Sequence, residues 1–143
     1  MLSRCPLLPL SRRLCRLFLA LAALTVFLLF YLGAQPFAAG LIPEPWDKLA
    51  HFLVFGGITA LLWFGTRGIH PWILVALVSA VGAADEWHQL YLPGRSAGLD
   101  DWATDVAAAV TAVLLCQWLK ARWGASPNSK GETSCVESSA PSP

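Results

Sequence analysis

A chain of 143 residues allows one domain, and its composition decides which solvent it is built for: 56% of residues are apolar, 13% are charged, and the formal net charge is +1. Soluble domains average about 25% charged residues, so this chain has too few polar groups to cover a water-facing surface. A soluble enzyme of ordinary design, a disordered chain and a nucleic-acid binder driven by excess positive charge are thereby excluded, and four cysteines without a CxxC or Cys/His ladder exclude a disulfide scaffold.

The chain opens with a basic segment, residues 1–13, carrying Arg4, Arg12 and Arg13. An uncharged run of 27 residues follows, Leu17 to Pro43. About 20 apolar residues cross the bilayer core, so the run predicts a first helix over 14–34. A cleaved signal peptide fits less well. The run exceeds the usual h-region of about 7–15 residues, no clean A-x-A site follows, and Arg16 interrupts the twin-arginine hint of Ser11-Arg12-Arg13. Pro36, Gly40, Pro43 and Pro45 then make an irregular segment.

The next uncharged runs, Phe52–Thr66, Pro71–Ala84 and Val106–Leu119, hold 15, 14 and 14 residues. At 1.5 Å per residue, 14 residues cover about 21 Å of a core about 30 Å thick, so each helix must draw flanking polar residues into the membrane. Helices over 47–67, 71–91 and 101–120 reach the required length. Gly68-Ile69-His70-Pro71 is a tight turn with proline opening the third helix, and Pro93-Gly94-Arg95-Ser96 is a turn before the fourth. Residues 123–143, rich in Ser and Pro, are expected to form a disordered, dispensable tail. The predicted fold class is all-α: a polytopic membrane protein whose domain, residues 14–122, is a bundle of four transmembrane helices.

Four spans sort the charges. Arg4, Arg12, Arg13, Arg16, Arg67, Lys120, Arg122 and Lys130 fall on one side, against Lys48 and Arg95 on the other, which predicts that both termini are cytoplasmic. Seven of the nine acids (Glu44, Asp47, Asp85, Glu86, Asp100, Asp101, Asp105) lie at the outer end. Cys5, Cys15 and Cys135 fall on the reducing side and Cys116 within the last helix, so no disulfide is expected. Trp46, Trp87 and Trp102 near one interface, with Trp72, Trp118 and Trp123 near the other, form an ordinary aromatic belt.

Asp47 and His51, four residues apart, share a helix face, with Lys48 one step around it. On the third helix, Asp85-Glu86-Trp87-His88-Gln89 presents carboxylate, imidazole and amide together. Arg95 follows in the turn, then Asp100 and Asp101, with Asp105 a turn deeper. A charge within the bilayer costs at least ~2.5–3.5 kcal/mol, so these groups should face the protein interior or water and pair, with Lys48 and Arg95 as the available outer cations. The cluster reads either as a structural ion-pair network or as a functional site, and intramembrane ionisable groups favour the site. Glu86, Gln89, Arg95 and Asp101 suit a polar or anionic ligand. Asp100 serves equally as a helix N-cap, Glu44 as a solvated loop acid and His70 as an interfacial group. His51 and His88 with Asp47, Asp85 and Glu86 raise the question of a divalent metal, but no HExxH, HxxEH or comparable spacing occurs, so neither metal ligands nor a cofactor are expected. No serine or cysteine stands beside a histidine in a nucleophile-like setting, Ser96 being a plain turn residue, which argues against covalent catalysis.

Asp47-Lys48-x-x-His51-Phe52, Asp85-Glu86-x-His88-Gln89-x-x-x-Pro93-Gly94-Arg95 and Asp101-x-x-x-Asp105 together resemble the VanZ-like family of bacterial membrane proteins, over about residues 45 to 115. The family's pattern carries over onto Asp47, Lys48, His51, Glu86, Gln89, Arg95 and Asp101. Many members have Asn where Asp105 stands and Gly where Ala108 stands, so this chain adds charge to the site and fills a packing position. The resemblance implies a multi-pass inner-membrane protein linked to susceptibility to the glycopeptide teicoplanin. Two functions follow as expectations. One is a binding protein that engages membrane lipid, specifically an anionic or sugar-linked lipid such as a cell-wall precursor, through Asp47, Lys48, His51, Glu86, Gln89, Arg95, Asp101 and Asp105. The other is a membrane-embedded hydrolase or transferase with Glu86 as general acid/base, His51 as a further catalytic candidate and Arg95 stabilising an oxyanion. The missing nucleophile favours binding over catalysis. A transporter would need an oligomer, since four short helices make a small conduit.

Overall fold

The computed structural model describes residues 11–38, 40–43, 46–95 and 97–124. The expectations for residues 1–10, Glu44, Ser96 and the tail beyond Gly124, with Arg4, Lys130, Cys5 and Cys135, lie outside these residues. Among the described residues all regular structure is helical: α1 Arg12–Gly33, a single 3-10 turn Pro36–Ala38, α2 Trp46–Gly65, α3 Pro71–Gln89 and α4 Leu99–Gly124.

Local chemistry sets the ends of these helices. Ser11 caps α1 by accepting from the Leu14 N–H through Oγ at 3.2 Å, so the helix takes Arg12 and Arg13 into its first turn ahead of the apolar run. Gly68, at φ 74°, closes α2 by donating its N–H to the Trp63 carbonyl at 2.9 Å. Pro71 opens α3, where its missing N–H leaves nothing unsatisfied. Asp47 in the first turn of α2, and Asp100 and Asp101 in that of α4, complement the positive helix ends. α4 continues past Lys120 to Gly124, with the Arg122 guanidinium 5.1 Å from the Trp118 ring centroid.

α1, α2 and the Leu99–Arg122 part of α4 are long and apolar enough to cross a membrane. α3, with 19 residues, measures about 28 Å, but its last turns carry Asp85, Glu86, His88 and Gln89 and dilute its apolar character. α4 packs most extensively against α2 and then α3, while α1 leans mainly on α2. The core is one cluster of Phe55, Ile58, Val78, Ala108 and Ala109, continued by Trp63, Leu74, Val113 and Cys116. Ala108 and Ala109 are small, and a Cβ built on Gly56 would stand 4.0 Å from the Ala108 carbonyl, so α2 and α4 approach closely, as membrane helices do through small residues. Large apolar side chains point outward instead: Phe27 is 61% and Leu53 64% exposed, with Leu24, Trp72 and Leu114 similarly placed. Such a surface suits lipid rather than water. Cys15 and Cys116 are both buried and free.

The helices alternate in direction. Lys48 reaches Asp100 and Asp101, which places the starts of α2 and α4 at one end. Arg67 Nε lies 3.3 Å from Cys15 Sγ and Phe18 packs on Phe64 at 5.7 Å, which places the start of α1 beside the end of α2. Arg12, Arg13, Arg16, Arg67, Lys120 and Arg122 thus gather at one end, and the acids of the described residues at the other.

Candidate functional site

The polar cluster lies directly beyond the apolar core and continues the same helix faces. On α2, His51 stands one turn before buried Phe55; on α3, Leu74, Val78 and Gly82 lead to Asp85, Glu86 and Gln89; on α4, Asp101 and Asp105 precede Ala108 and Ala109. The helical repeat that buries apolar side chains lower down therefore buries polar ones here.

Each group has a defined contact. His51 Nδ1 and Asp105 Oδ1 are 3.1 Å apart, and the His51 ring stacks on Phe55 with centroids 5.9 Å apart. Gln89 Nε2 donates to Asp85 Oδ2 at 2.9 Å along α3. Glu86 Oε2 accepts the backbone N–H of Gly98 at 2.8 Å, tying the end of α3 to the approach to α4. Lys48 Nζ donates to Asp101 Oδ1 at 3.0 Å and also to Asp100, joining α2 to α4. Trp102 Nε1 donates to the Ser79 carbonyl at 3.0 Å. Asp105 is completely buried and Glu86 only 9% exposed. Glu86 Oε1 and Asp105 Oδ2 are buried without a hydrogen-bond partner among the described residues. Nearly all buried polar atoms in folded proteins have a partner, so two orphans on neighbouring carboxylates call for a physical cause.

Of the residues singled out in the sequence, His51, Glu86 and Asp105 come together: one ligand atom from each lies within 4.8 Å of the other two. No helix-internal spacing announces this donor set, because each member comes from a different helix. Lys48 and Asp101 form a pair, and Gln89 pairs with Asp85. Asp47 stands apart, accepting the Lys48 backbone N–H at 2.8 Å as a helix-start residue. His88 packs its ring against Phe30 at 5.5 Å. Arg95 departs from expectation. It makes no ion pair with an acid among the described residues, and instead its Nη1 donates to the Ala38 carbonyl at 3.1 Å, because the segment after α1 folds back to the α3–α4 turn. Gly82 and Gly98 were not legible as site residues. A Cβ on Gly82 would stand 2.7 Å from Asp105 Oδ2, so only glycine admits that carboxylate against α3. Its one signal is its place four residues before Glu86.

These features define an all-helical membrane protein with a buried cluster of carboxylates, imidazole and amide at one end. More particularly, the chain matches the VanZ/LLP1 family over residues 14–120, which takes in nearly all of the four helices, and it belongs to that family. Neither the curated proteins nor the solved structures offer a match.

Proposed function

We propose that the chain spans a bacterial inner membrane four times with both termini in the cytoplasm, and that its polar end forms an outward-facing pocket for the headgroup of an anionic or sugar-linked lipid. A lipid-linked cell-wall precursor is the favoured ligand class, and through it the protein would alter susceptibility to the glycopeptide teicoplanin. The gathering of six described basic residues at the opposite end supports the orientation.

The observation that carries the headgroup reading is Arg95. Its guanidinium has five N–H donors, and among the described residues only Nη1 is engaged, on a backbone carbonyl. The remaining fork suits a phosphate or carboxylate, and the buried Gln89, Asp85 and Glu86 supply hydrogen-bonding groups for hydroxyls nearby. Purification in mild detergent, followed by phosphate and sugar analysis, tests this. The expected result is one phosphorus- or sugar-bearing lipid per chain, lost on Arg95→Lys. A wild-type protein without such a lipid would overturn the reading.

Glu86 favours a second reading, hydrolysis or group transfer, since its buried Oε1 has no hydrogen-bond partner among the described residues and could exchange a proton with a ligand. The two readings separate on Glu86→Gln: an enzyme would retain its substrate and stop turning it over, whereas a binding protein shows no turnover in either form.

A further inference from the structure

We propose that His51, Glu86 and Asp105 form a divalent-cation site that joins α2, α3 and α4, and that it takes a first-row transition ion such as Mn2+ or Zn2+. One nitrogen or oxygen from each residue lies within 4.8 Å of the other two. Ligand atoms about 2.0–2.2 Å from one ion stand about 3.0–3.6 Å apart, so small side-chain rotations close the set. His51 Nδ1 and Asp105 Oδ1 already stand at such a separation, 3.1 Å.

The second observation concerns partners. Glu86 Oε1 and Asp105 Oδ2 belong to two of these three residues and are the buried side-chain atoms without a hydrogen bond among the described residues. A desolvated carboxylate oxygen is costly unless it is protonated or bound to a cation. Lys48 is already engaged by Asp100 and Asp101, and Arg95 makes no ion pair with an acid among the described residues. Asp85 adds a further acid from α3 and is satisfied by Gln89 rather than by a charge. Six described acids at this end face two permanent cations, Lys48 and Arg95, an excess of negative charge that a bound ion offsets.

The ligands are also held. Glu86 is fixed through Oε2 by the Gly98 N–H, which leaves Oε1 for the ion. The His51 ring lies nearly parallel to Phe55, at 10°. Asp105 is seated against Gly82, where a side chain on α3 would fill the space its Oδ2 occupies. One imidazole with two carboxylates is a mixed nitrogen and oxygen set, which favours first-row ions over Mg2+ or Ca2+ with their all-oxygen shells. The open positions would face the headgroup, and a phosphate would complete them.

Ion binding does not depend on the headgroup reading, because the ion is titrated alone. Full-length protein in mild detergent is stripped with chelator and titrated with Mn2+, free ion being read by electron paramagnetic resonance, with Zn2+ as competitor. One ion per chain is expected. Glu86→Gln and Asp105→Asn should each weaken it at least tenfold, while Asp100→Asn, outside the set, leaves it unchanged. Pulsed resonance on the wild type should show coupling to one imidazole nitrogen, a readout that needs no variant to fold. Absence of stoichiometric Mn2+ or Zn2+, absence of nitrogen coupling, or equal affinity in Glu86→Gln and Asp105→Asn would overturn the site. Stripped wild type that binds neither ion while both variants gain thermal stability would show a shared proton in its place.

Discussion

Gly82→Ala should disturb the buried cluster while leaving every polar side chain chemically unchanged. The added Cβ would lie 2.7 Å from Asp105 Oδ2 and 3.2 Å from Asp105 Cβ. The oxygen alone could rotate away, but Oδ1 is engaged with His51 and the side chain is fully buried. The Cβ contact is also close to the α4 backbone, so relief requires either loss of the His51 contact or separation of α3 from α4. Overpacking of this kind costs about 1–3 kcal/mol. Alanine in a helix interior independently contributes about 0.5–1 kcal/mol of stabilisation over glycine. Gly57→Ala isolates that second effect, because a Cβ there meets nothing within 4 Å. The two variants should therefore differ by about 1–3 kcal/mol in unfolding by SDS titration or tryptophan-monitored melting in detergent. Equal stability of Gly82→Ala and Gly57→Ala would refute the close seating of Asp105 against α3.

Three other outcomes follow from the same contacts. Glu86→Gln keeps an oxygen acceptor for the Gly98 N–H and removes a buried charge, so in ion-free protein its stability should stay within about 1 kcal/mol of wild type, measured by the same titration. Arg95→Lys retains one donor for the Ala38 carbonyl, so the chain should fold and reach the membrane at normal abundance on immunoblots while losing the headgroup lipid. Reporter fusions should read external at Gly40 and Ala97 and cytoplasmic after Trp123; a cytoplasmic reading at Ala97 would put the acids on the wrong side.

Much of the helix plan is legible in the sequence because uncharged runs and punctuation by Gly and Pro mark it directly. The ends differ by a few residues for identifiable reasons. Ser11 extends α1 backward over two arginines through its cap, Asp100 and Asp101 sit inside the first turn of α4 rather than marking its start, and α3 stops at Gln89, two residues before Tyr91. The polar residues of the site could be named from their spacing, but not their pairings. Helix periodicity says that Asp47 and His51 share a face; it cannot say that His51 meets Asp105 of α4 while Asp47 turns to its own helix start. Arg95 shows the same gap. Its charge suggested an acidic partner, whereas the chain reversal after α1 delivers a backbone carbonyl. His51 and Glu86 already raise the question of a metal in the sequence, but not in company with Asp105, since metal-ligand motifs are recognised along one helix and this group is assembled across three.

Whether the polar end binds a ligand or only braces the helices is decided by native mass spectrometry on wild type and the Lys48, Glu86, Gln89, Arg95 and Asp105 variants, with bound lipid normalised to the amount of folded protein in the membrane. A binding pocket should hold one lipid per wild-type chain and lose it in Glu86→Gln, Gln89→Leu and Arg95→Lys at unchanged abundance. Lipid occupancy that follows abundance across every variant would contradict it, because a brace loses its ligand only when it loses its fold.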